Sequence, residues 1–456
     1  MIKIGFILPS SYYLNDPFRG DPFTHLQLLT VLEDYFGDKV ELCLPDLRGI
    51  KKEFALYHIP ECDVYLHSIY TLDIKEQMNI VNMLRRQYPK AVHIAGGPHA
   101  GEFPDESLRM SDSLIIGEGE RNIVKVIDDF SNNNPRKIYR DPKAVDINLY
   151  SYPRRKFLPK SVTARRKMMT LRNKPGFDKL VSTNVIFSRG CPYNCHFCAL
   201  LTTREGTPGI RFRDPKLIED EIEYLKRDYG IEGIVLVDEI AIPLKRTAAI
   251  AELEAIGRTG IWWRGQCRVD GITPETAALA RQSGCLALGM GVESVWQTSL
   301  DIINKRISVK RAKETISLLK ANDIEARLYL IMGLPGEPEN IADLTWDFIK
   351  ETQPDLIHLS LFTIRPGTEV FRNPDKFGIR NIETDWENTM HIHALDKNRP
   401  ELTFNYREIT PWGKGLTSDQ IVNNYLDLLG RIKEAGLSSS DLNKSTLPFD
   451  DINSLA

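Results

Sequence analysis

The sequence has no apolar run approaching the roughly 18 residues that a membrane-spanning helix needs. The apolar opening at 1–9 is also too short for a signal peptide with a cleavage site. Charge of neither sign dominates, because 59 Lys and Arg face 62 Asp and Glu, which leaves a net charge of −3. Such a balance supplies no overall field to attract nucleic acid or an anionic membrane. We therefore expect a cytoplasmic protein with no membrane span and no nucleic-acid partner.

The seven cysteines show no spacing that indicates a disulfide framework. Four of them are scattered among apolar neighbours, namely Cys43, Cys62, Cys267 and Cys285. Scattered cysteines of this kind are expected to be small core residues in a reducing compartment. The other three, Cys191, Cys195 and Cys198, fall within one short segment and require a different explanation.

The length of 456 residues predicts two or three domains, and 42% hydrophobic residues suffice for sizeable cores. In residues 1–135, short apolar runs alternate with helical patterns. Strands are predicted at 2–8, 40–44, 64–67, 92–95 and 113–116, and helices at 24–36, 75–86 and 121–130. This alternation is typical of a parallel, doubly wound, Rossmann-like α/β domain. Ligands of such domains bind beyond the carboxyl ends of the strands.

A second alternating series fills residues 181–380. Its six predicted strands lie at 184–187, 233–237, 262–266, 287–290, 327–331 and 357–362. Six strand and helix units in series predict a partial (β/α)6 barrel of the TIM type. The chemistry of such a barrel takes place at the carboxyl ends of its strands.

Two less regular segments complete the predicted organisation. Residues 136–180 form a basic connector, whose charges are either a solvated run or a site for an anionic substrate. Residues 381–456 form a small α+β region that would cap the barrel or contact the substrate, with a helix at 418–435 and a frayed tail from 438.

Side chains of the C-terminal region allow two interpretations each. His391 and His393 are either ordinary hydrogen-bonded side chains or part of a metal or base site. Four aromatic residues either line an apolar pocket or form the small core of this region: Trp386, Phe404, Tyr406 and Trp412.

Cys191, Cys195 and Cys198 directly follow the first strand of the barrel series. Soft thiolate ligands select zinc, copper(I) or iron-sulfur clusters. A structural zinc site usually has four ligands in two short pairs, and the sequence has no second pair. His196 lies between two of the cysteines and would have to share their loop as a fourth ligand. Three cysteines on a four-iron cluster instead leave one iron open to a substrate or cofactor.

With this motif, C-x-x-x-C-x-x-C with an aromatic residue before the last cysteine, the sequence resembles the radical S-adenosylmethionine enzymes. The resemblance implies a [4Fe-4S] cluster on the three cysteines, with S-adenosylmethionine chelated to the open iron. One electron then cleaves the sulfonium group and gives a 5'-deoxyadenosyl radical, which removes a hydrogen atom from the substrate. It also implies an electron donor such as flavodoxin or ferredoxin.

The same resemblance implies a set of S-adenosylmethionine contacts. The residues concerned are Phe197, Asp238, Glu239, Arg268, Glu293, Gly333 and Pro335. Asp238 and Glu239 end the second strand and would meet the methionine ammonium group. Arg268 would meet the carboxylate, and Glu293 the ribose hydroxyls. Taken singly, an acidic strand end is often a helix cap and a Gly-Pro turn is often only a turn.

The first domain is similar to that of the cobalamin-binding subfamily of these enzymes. The resemblance implies cobalamin contacts from loops at the strand ends: Pro9, Ser10, Ser68, Gly96, Gly97, Pro98, His99, Gly117, Glu118, Gly119 and Glu120. The glycines among them are otherwise explained as tight turns. The Asp-x-His-x-x-Gly signature of many cobalamin domains does not occur in the sequence. If a corrin binds, we therefore expect its lower face to lack a histidine ligand.

Three hypotheses for the activity follow from the resemblance. The first is cobalamin-dependent methylation of an unactivated carbon in a small-molecule substrate, which is the preferred one. The second is a radical rearrangement, cyclisation or dehydration, with the cobalamin-type domain non-methylating or empty. The third is a scaffold that binds cofactor without turnover, against which the intact cysteine motif argues.

Overall fold

The computed structural model describes residues 1–11, 14, 16–200, 209–386 and 400–438. The chain divides into two compact units. The first is built mainly on Met1–Thr163, and the second on Ala164–Cys198 and the residues from Gly209 onwards.

The first unit is built around a six-stranded sheet in which all neighbouring strands are parallel. Its strands are β1 (Ile2–Ile7), β2 (Val40–Cys43), β3 (Val64–Ser68), β4 (Val92–Gly96), β5 (Ser113–Ile116) and β6 (Ile138–Arg140). The strand order is β2-β1-β3-β4-β5-β6. The order reverses between β1 and β3, which is the switch point where doubly wound folds bind ligands. The predicted Rossmann-like architecture is confirmed.

Helices separate these strands. They are α1 (Phe23–Phe36), α2 (Ile74–Gln87), α3 (Pro98–Glu102), α4 (Pro104–Met110), α5 (Gly119–Ser131) and α6 (Lys160–Thr163). The three long helices were predicted from their spacing. The short α3 and α4 were not, because each begins at a proline that sequence patterns treat as a break, although proline fits the first turn of a helix.

The second unit is built on six parallel strands that pair in the order of the chain. The strands from Ser182 onwards are β7 (Ser182–Val185), β8 (Ser188–Gly190), β9 (Ile210–Phe212), β10 (Gly233–Leu236), β11 (Trp262–Cys267), β12 (Cys285–Glu293), β13 (Glu325–Met332), β14 (Leu356–Leu361), β15 (Ile379–Arg380), β16 (Asn405–Tyr406), β17 (Ile409–Thr410) and β18 (Gly413–Lys414). The large sheet has the order β7-β10-β11-β12-β13-β14. All six predicted barrel strands are present, which confirms the partial barrel.

The helices of the second unit lie between its strands. They are α7 (Pro215–Tyr229), α8 (Arg246–Arg258), α9 (Pro274–Gln282), α10 (Gln297–Ile302), α11 (Val309–Ala321), α12 (Ile341–Thr352), α13 (Glu369–Arg372) and α14 (Ser418–Glu434). Helix α14 confirms the C-terminal helix predicted at 418–435. No helix of the described ranges is long and apolar enough to cross a membrane.

The small β-pairs of the second unit are antiparallel: β8 with β9, β15 with β16, and β17 with β18. Phe404 and Tyr406 are buried in the main core of the unit, so for them the core interpretation is correct. Phe404 packs edge-on against Phe362, and Tyr406 edge-on against Trp412. His391, His393 and the predicted tail beyond Ser438 lie outside the described residues.

The stretch predicted as a basic connector, 136–180, is divided between the two units and contributes β6 to the first sheet. Three of its basic residues are held against the first helix of the first unit. Arg154 and Lys156 form ion pairs with Glu33 of α1. Arg155 is fully buried, with its guanidinium 5.0 Å from the ring centroid of Phe23. These basic residues therefore hold the segment 154–156 against α1.

Candidate functional site

The cysteine loop, residues 191–198, begins where β8 ends. Gly190 has a φ of +95°, and a side chain there would place its Cβ 2.5 Å from the carbonyl oxygen of Gly209. Only glycine fits this entry to the loop. Within the loop, the Cys198 N–H donates to the Cys195 carbonyl at 3.1 Å. Cys195 is buried, Cys191 and Cys198 are half-buried, and none of the three forms a disulfide.

A segment after α10 holds the loop from one side. The His196 N–H donates to the Ile303 carbonyl at 2.9 Å, and the His196 ring Nδ1 donates to the Ile302 carbonyl, also at 2.9 Å. The Asn304 side-chain amide donates to the Asn194 carbonyl at 2.8 Å. Because a carbonyl only accepts, Nδ1 of His196 carries the proton and is not a metal ligand. In this arrangement Nδ1 of His196 is not available as the fourth ligand of a zinc site.

Among the described residues, no three His, Cys, Asp or Glu side chains already converge in the geometry of a metal site. The donor chemistry nevertheless fits an iron-sulfur cluster, because three soft thiols share one short loop. The surrounding charge fits as well. Burial raises the pKa of the Cys195 thiol, and the positive charges of Lys305 and Arg268 oppose that rise. Both cations therefore favour the thiolate form that a metal ligand must take.

Asp238 lies at the end of β10 and is fully buried. Its carboxylate accepts hydrogen bonds from the Phe187 N–H at 3.1 Å, from the Ser188 hydroxyl at 2.6 Å and from the Ser188 N–H. Burial raises its pKa to about 7, against the lowering effect of these hydrogen bonds. Its neighbour Glu239 is exposed and accepts from the Gly190 N–H at 3.3 Å. Both carboxylates thus support the backbone that leads into the cysteine loop.

Arg268 follows β11 and is 5% exposed. Its Nε donates to Asp270 at 3.0 Å and its Nη2 donates to the Lys305 carbonyl at 2.9 Å. Its guanidinium carbon lies 3.5 Å from the ring centroid of Tyr193, whose hydroxyl donates to Asp270 at 2.6 Å. Since Tyr193 lies inside the cysteine loop, this cluster supports the loop from a second side. Sequence reasoning did not single out Asp270 or Tyr193.

Glu293, the last residue of β12, forms a buried ion pair with Lys305 at 2.6 Å between Oε1 and Nζ. The Lys305 ammonium also lies 5.9 Å from the ring centroid of Phe197 in the cysteine loop. A Cβ at Gly291 would lie 2.5 Å from Oε1 of Glu293, so a side chain there would displace the carboxylate from its present position. Lys305 was not predicted as a site residue. The one feature of the sequence that could have indicated Lys305 is its position two residues after the apolar pair Ile302 and Ile303.

Gly333 and Pro335 belong to a buried turn after β13. The Gly333 N–H donates to Glu337 at 2.8 Å, and the Ser294 hydroxyl donates to the other carboxylate oxygen at 3.2 Å. Burial raises the pKa of Glu337 to about 8. The Tyr406 hydroxyl donates to the Gly333 carbonyl at 2.9 Å and links the turn to the C-terminal region. Glu337 was not among the predicted site residues.

The structure therefore brings part of the predicted set together. Phe197, Arg268 and Glu293 all contact Lys305, directly or through its backbone. Asp238 and Glu239 contact the backbone before the loop instead.

In the first unit, the loop after β1 contains Pro9 and Ser10. The Ser10 N–H donates to Glu76 of α2 at 2.9 Å. The Ser10 hydroxyl and the second oxygen of Glu76 are buried with no hydrogen-bond partner among the described residues. Ser68, the last residue of β3, is also buried, and β3 is a direct neighbour of β1 in the sheet. Two buried polar atoms without partners at a switch point are a feature that a polar ligand would satisfy.

The loop after β4 has a packing explanation. Gly97 has a φ of +97°, and a Cβ there would lie 2.7 Å from both N and O of Ile69. Pro98 begins α3. His99 is buried, with Nδ1 3.3 Å from the Thr71 hydroxyl and Nε2 3.4 Å from Glu106. Gly96 is the last residue of β4. A Cβ at this position would lie 3.3 Å from the carbonyl oxygen of Ile115.

The loop after β5 is packed within the unit as well. Gly117 has a φ of +87°. Glu118 accepts from the Val145 N–H at 2.7 Å. A Cβ at Gly119 would lie 2.9 Å from a methyl carbon of Leu28, and Glu120 is buried. Gly119 thus allows α5 to approach α1 closely.

Comparison with known proteins identifies the second unit. Residues 185–366 match the model of the Radical SAM superfamily. The second unit therefore contains a radical SAM domain. The match begins at the last residue of β7 and therefore includes the whole cysteine loop and the strands that support it. The family predicted from the sequence is confirmed.

Three similar proteins extend this comparison. The anaerobic magnesium-protoporphyrin IX monomethyl ester cyclase of Rubrivivax gelatinosus is 26% identical over 77% of this chain and 62% of its own length. The bacteriochlorophyllide d C-12(1)-methyltransferase of Chlorobaculum tepidum is 24% identical over 75% of this chain and 71% of its own length. The radical S-adenosylmethionine methyltransferase TsrM of Kitasatospora setae, solved with cobalamin and a [4Fe-4S] cluster, has a TM-score of 0.64 at 16% identity and covers 84% of this chain and 81% of its own.

The chain thus spans less than two thirds of the length of the cyclase. The likeness to TsrM, which extends over most of both chains, supports the two-sheet α/β architecture.

Replacing Lys305 by Met leaves the buried carboxylate of Glu293 without its partner. We expect the free energy of unfolding to fall by about 3–5 kcal/mol, since a single charge is costly to bury. Urea denaturation of the variant measures this. The control is Lys310→Met, whose side chain is 87% exposed and should change little. Adding Glu293→Gln to Lys305→Met should recover part of the loss, and equal effects of the two lysine variants would contradict the buried pair.

The raised pKa of Glu337 predicts a pH dependence of stability. The folded state holds this proton up to about pH 8, whereas the unfolded chain releases it near 4.5. The free energy of unfolding should therefore decrease as pH rises from 4.5 to about 8. Glu337→Gln should flatten this decrease, measured by urea denaturation across that range. The matched control Glu339→Gln, at an exposed position of the same loop, should keep the wild-type profile.

Replacing Gly97 by Ala should destabilise the first unit by more than about 1 kcal/mol, because the new methyl group meets the Ile69 backbone at a positive φ. The control is Gly20→Ala, where a Cβ meets nothing within 4 Å. Thermal unfolding of both variants tests this, and a Gly97→Ala protein as stable as the control would show that the β4 loop is free to move away.

Proposed function

We propose that this protein is a radical S-adenosylmethionine enzyme, with Cys191, Cys195 and Cys198 as the three ligands of a [4Fe-4S] cluster. The observation that carries the proposal is the cysteine loop after β8, within the radical SAM domain, which hydrogen bonds from neighbouring segments hold in place. When bound, the cluster and S-adenosylmethionine would supply a 5'-deoxyadenosyl radical. The electron would come from a donor of the flavodoxin or ferredoxin class.

The residues around the loop have separate proposed roles. Asp238 is a positioning residue, because its carboxylate already accepts hydrogen bonds from Phe187 and Ser188. Glu239, exposed beside Gly190, stays the candidate for the methionine ammonium group. Arg268 and Lys305 contribute positive charge close to Cys195.

Four further predicted contacts with S-adenosylmethionine remain part of the proposal. Phe197 lies next to Cys198 and under the Lys305 ammonium. Gly333 and Pro335 shape the turn after β13, which Glu337 holds through the Gly333 N–H. Glu293 would have to share its carboxylate between Lys305 and the ribose hydroxyls, which a carboxylate with two oxygens can do.

We propose that the first unit binds cobalamin at the carboxyl ends of its strands. The β1/β3 switch point supports this assignment, as do the buried oxygens of Ser10 and Glu76 that have no hydrogen-bond partner in the described part of the chain. Likeness to TsrM, whose structure contains cobalamin, supports it further. Because the sequence lacks the Asp-x-His-x-x-Gly signature, we still expect that a bound corrin would have no histidine ligand on its lower face.

The reaction that we propose is methylation of an unactivated carbon in a small-molecule substrate. Similarity to the bacteriochlorophyllide d C-12(1)-methyltransferase of Chlorobaculum tepidum supports a methyl transfer. A cytoplasmic location agrees with the finding that none of the seven cysteines, all of which lie in the described ranges, forms a disulfide. A second candidate is radical cyclisation, which the similarity to the Rubrivivax gelatinosus cyclase favours.

The test is anaerobic reconstitution of the full chain with iron, sulfide and cobalamin, followed by quantitation of iron, zinc and corrin. We expect Cys191→Ala to lose the cluster and keep the corrin, while the control Cys267→Ala, outside the loop, keeps both. One zinc per chain, without iron, would overturn the proposal.

Product analysis with a strong reductant separates the reactions. Methylation yields S-adenosylhomocysteine together with 5'-deoxyadenosine, whereas cyclisation yields 5'-deoxyadenosine alone. A reconstituted protein that leaves S-adenosylmethionine intact would indicate a binding scaffold instead of an enzyme.

A further inference from the structure

Two of the four scattered cysteines meet in the first unit, far from the cysteine loop in sequence. Cys43 is the last residue of β2, and Cys62 lies in the loop that precedes β3. Their sulfur atoms are 3.8 Å apart. Strands β2 and β3 lie on opposite sides of β1, so the two side chains must reach across β1 to meet.

Gly5 in the middle of β1 makes this contact possible. It is the parallel partner of both Cys43 and Tyr65. A Cβ at Gly5 would lie 3.1 Å from the Cys62 sulfur, closer than most real Cβ contacts. Glycine in a strand interior weakens the strand and often marks a place where another group approaches closely. At Gly5 the approaching group is the Cys62 thiol.

The two thiols differ in access. Cys43 is half-buried, whereas Cys62 is buried at 5% exposure. The hydrogen bond between the two thiols lowers the pKa of Cys43, and the same bond together with burial raises the pKa of Cys62. A thiolate is the nucleophile in thiol oxidation, so Cys43 is the reactive member. Cys62 is placed to resolve the product.

We propose that Cys43 and Cys62 form a redox-active dithiol that hydrogen peroxide converts to a disulfide. The Cys43 thiolate attacks one peroxide oxygen, breaks the O–O bond and becomes a sulfenic acid, with hydroxide as the leaving group. The Cys62 thiol then attacks the Cys43 sulfur. The S–S bond forms, the S–O bond breaks, and the Cys62 proton leaves with the hydroxyl group as water. Two electrons pass from the sulfur atoms to the peroxide.

The geometry requires only a short movement. The sulfur atoms must close from 3.8 Å to about 2.05 Å. Cys62 lies outside the strands, so its loop can follow the side chain without breaking a ladder of the sheet. The bond would join positions 19 residues apart on the two sides of β1. We therefore expect the oxidised first unit to unfold at a higher temperature than the reduced unit.

The test treats the full chain, purified without oxygen, with increasing hydrogen peroxide, then alkylates free thiols and maps the peptides by mass spectrometry. We expect a cross-linked pair containing Cys43 and Cys62, lighter by two hydrogen atoms and restored by a dithiol reductant. Cys267 and Cys285, which are buried, serve as internal controls and should still be alkylated as free thiols after denaturation. Separate alkylation of Cys43 and Cys62 at every peroxide dose would overturn the proposal.

Three variants sharpen the result. Cys62→Ser should trap the Cys43 sulfenic acid, detected with dimedone, and Cys43→Ser should leave Cys62 unoxidised. Gly5→Ala should slow formation of the cross-link, because its methyl group displaces the Cys62 sulfur. Equal oxidation of Cys62 in wild type and Cys43→Ser would contradict the assigned order. The cross-link should also form in Cys191→Ala, so this test does not depend on the proposed cluster.

Discussion

The cysteine loop has little regular hydrogen bonding of its own, so its shape depends on groups that reach it from the barrel. Asp238 holds the backbone at Phe187 and Ser188 before the loop. Ile302 and Ile303 accept hydrogen bonds from His196 in its middle. These contacts are directional and largely shielded from water, which makes each one costly to lose. Three thiols can serve one centre only because the barrel fixes the backbone between them.

Buried charges add a second constraint. Two ion pairs lie near the loop, Glu293 with Lys305 and Asp270 with Arg268. Removing such charges from water costs desolvation energy. Both cations face the region of Cys195, where Lys305 and Arg268 act on the thiol more strongly than Glu293 does. This arrangement would compensate the negative charge of the proposed thiolate ligands. That is a physical reason to keep ion pairs in a site that apolar residues would otherwise fill.

The first unit shows how one sequence pattern serves two purposes. Its strand-end glycines agree with a ligand site, yet Gly97 and Gly119 are already required by Ile69 and Leu28. The stronger sign of a ligand is a pair of oxygens, on Ser10 and Glu76, that the described residues leave without partners. Gly5, inside β1, is explained by neither turn nor ligand but by the thiol of Cys62.

The sequence by itself determined the two parallel α/β units, because buried strands are continuous apolar runs and helices repeat every 3.6 residues. It also determined the cysteine motif, whose ligands are close in the chain. The tertiary structure alone decided which residues surround that motif. Lys305, Asp270 and Glu337 reach it or its neighbouring turn from separate segments, and short elements such as α3 and β6 lack enough residues to show a period. Contacts between distant segments depend on how strands pair and turns bend, and no local spacing encodes them.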